Sequence, residues 1–597
     1  MLPQTRREYR AGLRRRRSPR PAVLRRAAED VLEFAWACTT DDLLRLGLRT
    51  GGTLLIAMVC WLGWHIVTVK NDLEAAQSAL QADDALAEVG VEAASAASAS
   101  ADPIWRGAEL IPVLGDNLRA VRLSAEAVDL AVNDIALPVL AMRDEATTDD
   151  DAEEGLLTRA IPVMTAAAPA AAALDDAMTA VAASGLLVDQ VRSALETVQP
   201  VVAAMDAGLR LAPTLLGADG AKNYLLVFQN NAESLPLGGS AASQTLISAD
   251  DGVLSIAAQA NSGSFKIKPS VDVDVDESAI ELYSGYLTSR VNTAVGRPDF
   301  ETAAAILTAF WNRDIDDTQI DGVISIDPLV LPGVLDAVGS MTVDGVELTS
   351  DNVVQVLLSD TYAWWGSSDA EAKKADAFFA TVAEDLFDKI ASGDFDPAKM
   401  VSAIADSAAD GDILVWSSDP TVNELFAGTR ASGVMPTDNA DQTVVGVYFF
   451  DHSGGSKIDY YMDSAVDLSS VCTGGTATYT ASTTLHLDLT QEEADTLPVY
   501  VLSKNWGSAQ TRLGVYVYGP PGTVVESVSV DGEDVDVLST DIDDLGRPVA
   551  AFDVNLAPDQ TGTVTATFSG ATADGGALTL WSTPMVNTTD VTVDDGC

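Results

Sequence analysis

Residues 222–239 read KNYLLVFQNNAESLPLGG. The apolar run at 223–229 has the length of a strand and no polar alternation, the pattern of a strand covered on both faces. The next ten residues, 230–239, combine two amides, an acid, a proline and paired glycines, and read as a polar turn. TLISA (245–249) and VLSIAAQA (253–260) read as further strands. Toward the C-terminus come a helix at 301–312, a strand at 320–326 and a helix after Asp327-Pro328. Helical patterns follow at 350–360, 370–392 and 397–409, then a strand at 413–416. Strands interleaved with helices predict an α/β layered sheet domain over residues 216–440.

After residue 440 the helical patterns stop. VVGVYFF, TATYTASTTLHLDL, RLGVYVYG and TVTATFSG recur between Gly, Pro and Asp punctuation, which predicts a C-terminal β-sandwich over 441–597. Before residue 216 the chain is rich in Ala and Leu at helical spacing, and 71–215 reads as an Ala-rich helical stalk or bundle. The fold class expected is therefore α/β plus α and β, in separate parts of one chain.

Residues Gly51–Val69, GGTLLIAMVCWLGWHIVTV, carry no charge over 19 positions. At about 1.5 Å per residue such a run just spans a hydrocarbon core of about 30 Å. Trp61, Trp64 and His65 near its far end suit the headgroup level. Residues 51–70 are thus expected to cross a lipid bilayer once. Ten arginines lie between Arg6 and Arg26, with Glu8 the only acid among residues 1–26. By the positive-inside bias, residues 1–50 form a basic cytoplasmic tail and the rest is extracytoplasmic.

The net charge of −53 conceals an asymmetry. Residues 1–70 hold 13 Lys+Arg and 6 Asp+Glu, leaving 22 bases against 82 acids beyond them. That surface repels polyanions, so nucleic acid is not an expected partner. Cys38 and Cys60 precede the exported part, and the remaining pair, Cys472 and Cys597, is expected to form one disulfide in an oxidising compartment. With only three histidines, no metal site of the histidine type is expected.

The turn holds the first candidate ligand-binding residues: Asn230, Asn231, Glu233, Gly238 and Gly239. Strand ends in α/β sheets are where ligands bind, and paired glycines let backbone N–H groups approach an anion. Arg290, Arg297 and Asp299 form a second group before a predicted helix N-terminus, a position favourable to anions. Ser453–Lys457, SGGSK, echoes a phosphate loop without its spacing or its helix. Tyr362, Trp364 and Trp365 suit a sugar or lipid groove, although core packing is the commoner use of such residues. No catalytic set is readable.

KNYLLVFQNNAESLPLGG resembles the opening of the family called domain of unknown function 4012, found in membrane-anchored exported bacterial proteins. ADPIWRGAELIPVLGDNLRAV (101–121), IDGVISIDPLVLPGVLDAVGSMTVDG (320–345) and VVGVYFFDHSGGSKIDYYM (444–462) are similar to its other parts. The resemblance implies the architecture above and no activity. Where the family pattern has an arginine or similar polar residue after Ala-Glu, this chain has Ser234-Leu235, which weakens a phosphate site in the turn. The 320–345 stretch also resembles the LytR-CpsA-Psr cell-wall transferases, whose chemistry needs arginines, carboxylates and a metal around a pyrophosphate.

Two functional readings follow. The first is a single-pass bacterial cell-envelope protein, anchored in the cell membrane, that binds or scaffolds near wall or surface polysaccharide without catalysis and without a cofactor. The alternative is a LytR-CpsA-Psr-like transferase on polyprenyl-pyrophosphate-linked glycans, using Mg2+. Envelope glycans or polyprenyl pyrophosphates are the corresponding partners.

Overall fold

The structure, a computed structural model, describes residues 86–111, 114–148, 155–365, 369–392, 395–498, 501–502, 510–533, 538–571 and 575–597. The expected basic tail (1–50) and membrane span (51–70) lie outside the described residues. The chain is mixed helix and sheet, and it divides into two compact units. Among the described residues, the first comprises 86–137 with Ala172–Val202, the second Pro138–Ala171 with Ala203–Cys597.

Every described element before residue 216 is helical. In the first unit, the ADPIW stretch shows why. Asp102 caps the helix Pro103–Ala108 by accepting from the Ile104 N–H, and Pro103 fills the first turn, where no N–H is needed. Trp105 is fully buried, and its indole N–H donates to the Leu118 carbonyl at 3.2 Å. It packs with Ala108 of its own helix and with Ala96, Leu118 and Ala125 from the helices Leu86–Ser100 and Leu114–Asp129. The alanines let these helices approach closely. Arg122 is buried between Glu109 at 2.6 Å and Glu126 at 2.8 Å.

Among the described residues one helix, Leu156–Ala182, is long and apolar enough to cross a membrane by length and composition, with a mean hydropathy of 1.3. Its apolarity is mostly alanine, and it contains Pro162 and Pro169.

The second unit contains a five-stranded sheet of β1 (Lys222–Leu235), β2 (Gly238–Asp250), β3 (Val253–Asn261), β4 (Gly322–Ile326) and β7 (Ile413–Ser417), in the order β3-β2-β1-β4-β7. A hairpin of β5 (Met341–Val343) and β6 (Val346–Leu348) stands apart from it. Only β1 and β4 run parallel, from Tyr224 opposite Gly322 to Phe228 opposite Ile326. Alternate residues face opposite layers. Leu225, Val227, Val323 and Leu414 meet the helix Phe300–Asp314, while Ile324, Ile326 and Val415 meet the helices Leu331–Val338 and Asp369–Ser392. This two-sided burial explains the unbroken apolar reading of 223–229.

Ten further strands follow: β8 (Gln442–Asp451), β9 (Met462–Thr473), β10 (Thr476–Leu487), β11 (Thr511–Tyr518) and β12 (Thr523–Val530), then β13 (Ser539–Asp544), β14 (Arg547–Leu556), β15 (Thr561–Ala571), β16 (Ala577–Ser582) and β17 (Asp590–Gly596). They form two five-stranded sheets, β12-β15-β10-β9-β17 and β13-β14-β11-β8-β16, with a common apolar core. The second of these is buried on both faces. Val445, Val447 and Phe449 point to its partner sheet, and Val444, Tyr448 and Phe450 pack with the helix Phe300–Asp314. Residue 440 is therefore a change of secondary structure inside one compact unit. Cys472 and Cys597 form the expected disulfide, Cα–Cα 5.0 Å, holding the end of the exposed edge strand β17 on β9.

A buried ion network ties the two sheet regions together. Arg297, 3% exposed, donates to Asp544 at 2.7 Å, Asp276 at 2.6 Å and Asp299 at 3.0 Å. The Tyr518 hydroxyl donates to Asp544 at 2.9 Å and lies 2.6 Å from that of Tyr283. The Arg297→Met variant should lower stability by about 3–5 kcal/mol, because Asp544 would stay buried without its cation. Chemical denaturation of the two proteins measures this, and an unchanged midpoint would show that the network contributes nothing.

Candidate functional site

The stretch expected to form a turn over 230–239 turns only at its end. β1 continues to Leu235, and only Pro236 and Leu237 connect it to β2. What departs from the ladder is a bulge. Asn230 pairs with Ser240 and Ser234 pairs with Gly239, so residues 231–233 have no partner on β2. The groups in and around the bulge bond to other parts of the chain. The Asn230 side chain accepts from the Ala232 N–H, and the Ser234 N–H donates to Asp459 Oδ2 at 3.2 Å. Gln229 holds the hairpin shut, accepting from the Gly239 N–H and donating to the Leu237 carbonyl and to Ser325 Oγ.

The glycines serve close approach rather than an anion nest. Gly238 has φ +128°, and a Cβ there would meet Asp327 Oδ2 at 2.6 Å. At Gly239 a Cβ would lie 2.1 Å from the Asn230 carbonyl oxygen. Asn231 donates through Nδ2 to Asp327 Oδ2 at 2.6 Å and to the Pro584 carbonyl at 3.1 Å.

Beside the bulge lies a cavity of about 380 Å³, within the usual range for a small-molecule site. Its lining divides by element. The helical segments contribute Leu331, Leu357, Phe379, Val382 and Leu386, with Tyr362 as their polar member. β2 and β3 contribute chiefly Ser240, Ser243, Gln244, Thr245, Gln259 and Asn261, and the bulge adds Asn230 and Glu233. Lys457 lines the cavity too. It is ion-paired with Glu233, its ammonium sits 4.9 Å from the Tyr362 ring centroid, and the Tyr362 hydroxyl accepts from Asn230 Nδ2 at 2.7 Å.

Several carboxyls here are buried. Burial, reinforced by the charge of Asp412, pushes Asp327 well above the carboxylate range, and the hydrogen bond from Asn231 opposes this. Asp459 is raised to about 6 by burial, against hydrogen bonds from Ser234 and Thr511. Burial also raises Asp451 well above its ordinary value. Among the described residues no group of three or more His, Cys, Asp or Glu side chains is placed to hold a metal ion.

The candidates from sequence part company. Asn230 and Glu233 line the cavity, while Asn231, Gly238 and Gly239 lie against its wall through Asp327 and Asn230. Arg290, Arg297 and Asp299 are not among the lining residues. Arg290 is exposed, its guanidinium 4.9 Å from the Tyr286 ring centroid. Arg297 is engaged by three carboxylates, and Asp299 caps the helix Phe300–Asp314 by accepting from the Thr302 N–H. Of the aromatic candidates, Tyr362 lines the cavity, Trp365 packs on Phe378 and Trp364 is 46% exposed. Asp327 and Gln244 escaped the sequence reading because nothing local marks them. Lys457 was marked by its glycines, Gly454 and Gly455, both at positive φ.

The model of the family described as "Protein of unknown function (DUF4012)" matches residues 219–362. This segment belongs to that family. The DUF4012 segment contains β1 to β4 and ends at Tyr362, so it supplies most of the polar lining, whereas Lys457 and the helix Asp369–Ser392 lie beyond it. No curated protein matches the chain.

The buried acids give a pH test. Asp412 is pushed up to about 7 by burial and by Asp410, with Arg430 opposing. Its unfolded-state value is about 3.9. The folded chain therefore holds this proton where the unfolded chain has released it, and stability falls as pH rises from about 4 to about 7. Asp412→Asn should match the wild type in thermal midpoint at pH 4 and exceed it at pH 8. Equal midpoints at both pH values would contradict the assignment.

Proposed function

We propose that this is a membrane-anchored, extracytoplasmic protein of the bacterial cell envelope that binds an amphipathic ligand near wall or surface polysaccharide without transforming it. The observation that carries the reading is the two-sided cavity, with apolar helices on one part of its lining and amides and hydroxyls on the other. Such a lining matches a molecule with a hydrocarbon part and a polar head.

Anchoring through residues 51–70, with the N-terminus cytoplasmic, rests on the uncharged run and the arginines before it. Export of the remainder is supported by the Cys472–Cys597 disulfide, a bond at home in an oxidising compartment. The transferase alternative needs cations around a pyrophosphate. Arg290 and Arg297 do not line the cavity, and Lys457 is already paired with Glu233. We therefore favour binding over catalysis.

The test uses the full chain in lipid nanodiscs, with octyl-chain probes bearing hydroxyl, glucosyl, phosphate or amine heads and empty discs as the blank. At least one probe should bind saturably at one site per chain. Ala383→Trp, which fills the cavity from the helix Asp369–Ser392, should abolish that binding while leaving the circular dichroism spectrum unchanged. No saturable binding of any probe, or binding indifferent to Ala383→Trp, would refute the reading. Chemical conversion of a bound probe would favour the transferase.

A further inference from the structure

Three side chains at this cavity are buried and incompletely bonded. Asn231 and Asp327 are 0% exposed and Gln244 is 1% exposed. Among the described residues, Asn231 Oδ1, Asp327 Oδ1 and both amide atoms of Gln244 have no hydrogen-bond partner. Asp327 and Gln244 line the cavity, and Asn231 is bonded directly to Asp327. The Asn231 amide is not simply reversed, because its nitrogen faces two oxygens, Asp327 Oδ2 and the Pro584 carbonyl. Buried polar groups are ordinarily paired, and leaving one unpaired is costly. Four such atoms in three neighbouring or cavity-lining side chains point to a missing partner.

Resting on the binding function above, we propose that the head of the ligand is an uncharged, hydroxyl-bearing group of the sugar or polyol class, bonded by the lining side chains Asp327 and Gln244, with Asn231 holding Asp327 from behind. The open atoms select this chemistry. Gln244 Oε1 accepts only, so the head must donate. Gln244 Nε2 donates only, so the head must also accept. A hydroxyl does both at one oxygen. A fully ionised phosphate only accepts and leaves Gln244 Oε1 unsatisfied, and an ammonium only donates and leaves Gln244 Nε2 unsatisfied. Charge points the same way. The lining cation Lys457 is neutralised by Glu233, and no arginine lines the cavity. Burial favours the neutral form of Asp327, which then donates as well as accepts.

The same nanodisc-embedded chain and octyl probes test this. Octyl glucoside should displace radiolabelled octanol and bind at least about tenfold tighter than octanol, octyl phosphate or octylamine, a margin of the order of one or two hydrogen bonds. Gln244→Leu removes a side chain with no partner in the folded protein. It should therefore fold with undiminished thermal stability and bind octyl glucoside within about twofold of octanol. Asp327→Asn, neutral and still able to donate, should keep the glucoside preference, whereas Asp327→Leu should lose it. Equal affinity for glucoside and octanol in the wild type, tighter binding of octyl phosphate or octylamine, or loss of the preference in Asp327→Asn would each overturn the proposal while leaving the binding function standing. Failure of every probe to bind would overturn both.

Discussion

The bulge at residues 231–233 is the constraint on which the site depends. A regular strand would spend the backbone groups of these residues on β2 and turn their side chains alternately to the two covered faces of the sheet. By leaving the ladder, β1 places Asn231 against Asp327, Glu233 against Lys457 and the Ser234 N–H against Asp459. These partners come from β4's end, from the segment after β8 and from the short helical turn Ile458–Tyr461. One local irregularity thus joins the mixed sheet to the two-sheet region and opens a polar wall between them. The glycines follow from it, since Gly239 lies under the bulged backbone and Gly238 beside the Asp327 carboxyl, where neither tolerates a side chain.

The second consequence concerns the sheet β13-β14-β11-β8-β16. Because helices cover the face turned away from its partner sheet, its strands are apolar on both sides, and their polar atoms have to be satisfied internally. Tyr518, Tyr283, Asp544 and Arg297 do this in one connected network. A network of this kind is sensitive to removal of any member, because each remaining group is desolvated. It also explains why Arg297, attractive in sequence as a phosphate ligand, is committed to Asp544, Asp276 and Asp299.

Much of the fold was legible because hydrophobic periodicity survives in the sequence. The run 223–229, the helix at 301–312 and the alternation of Leu485 and Leu487 with His486 read correctly, since each records how many of its faces are covered. The 230–239 stretch misread for a physical reason. Asn, Ser, Pro and Gly are the residues of turns, and a bulged strand uses the same ones to leave its ladder. The site was legible only in part. Asn230 and Glu233 stand where the strand ends, but Gln244, Asp327 and Lys457 reach the cavity through pairings 13 to 226 positions distant from Asn231, and sequence spacing carries no record of those. The Cys472–Cys597 pairing was readable by elimination, which needs no geometry.

A chain with 82 acids and 22 bases beyond residue 70 holds anionic ligands poorly unless a site concentrates cations. The cavity does the reverse, since its lysine is spent on Glu233 and its neighbouring carboxyls are buried where the neutral form is favoured. Selectivity in such a site has to come from hydrogen bonding and shape. The unfilled valences of Asp327 and Gln244 then have a role beyond imperfect packing. Each raises the free energy of the empty protein, and a head group that completes them recovers that desolvation cost on binding. Discrimination follows from the same atoms, because a ligand that fills the apolar part without completing the polar set forfeits the gain. Recognition of this kind is insensitive to salt, unlike that of a charged site, and suits a protein whose surface is already strongly acidic.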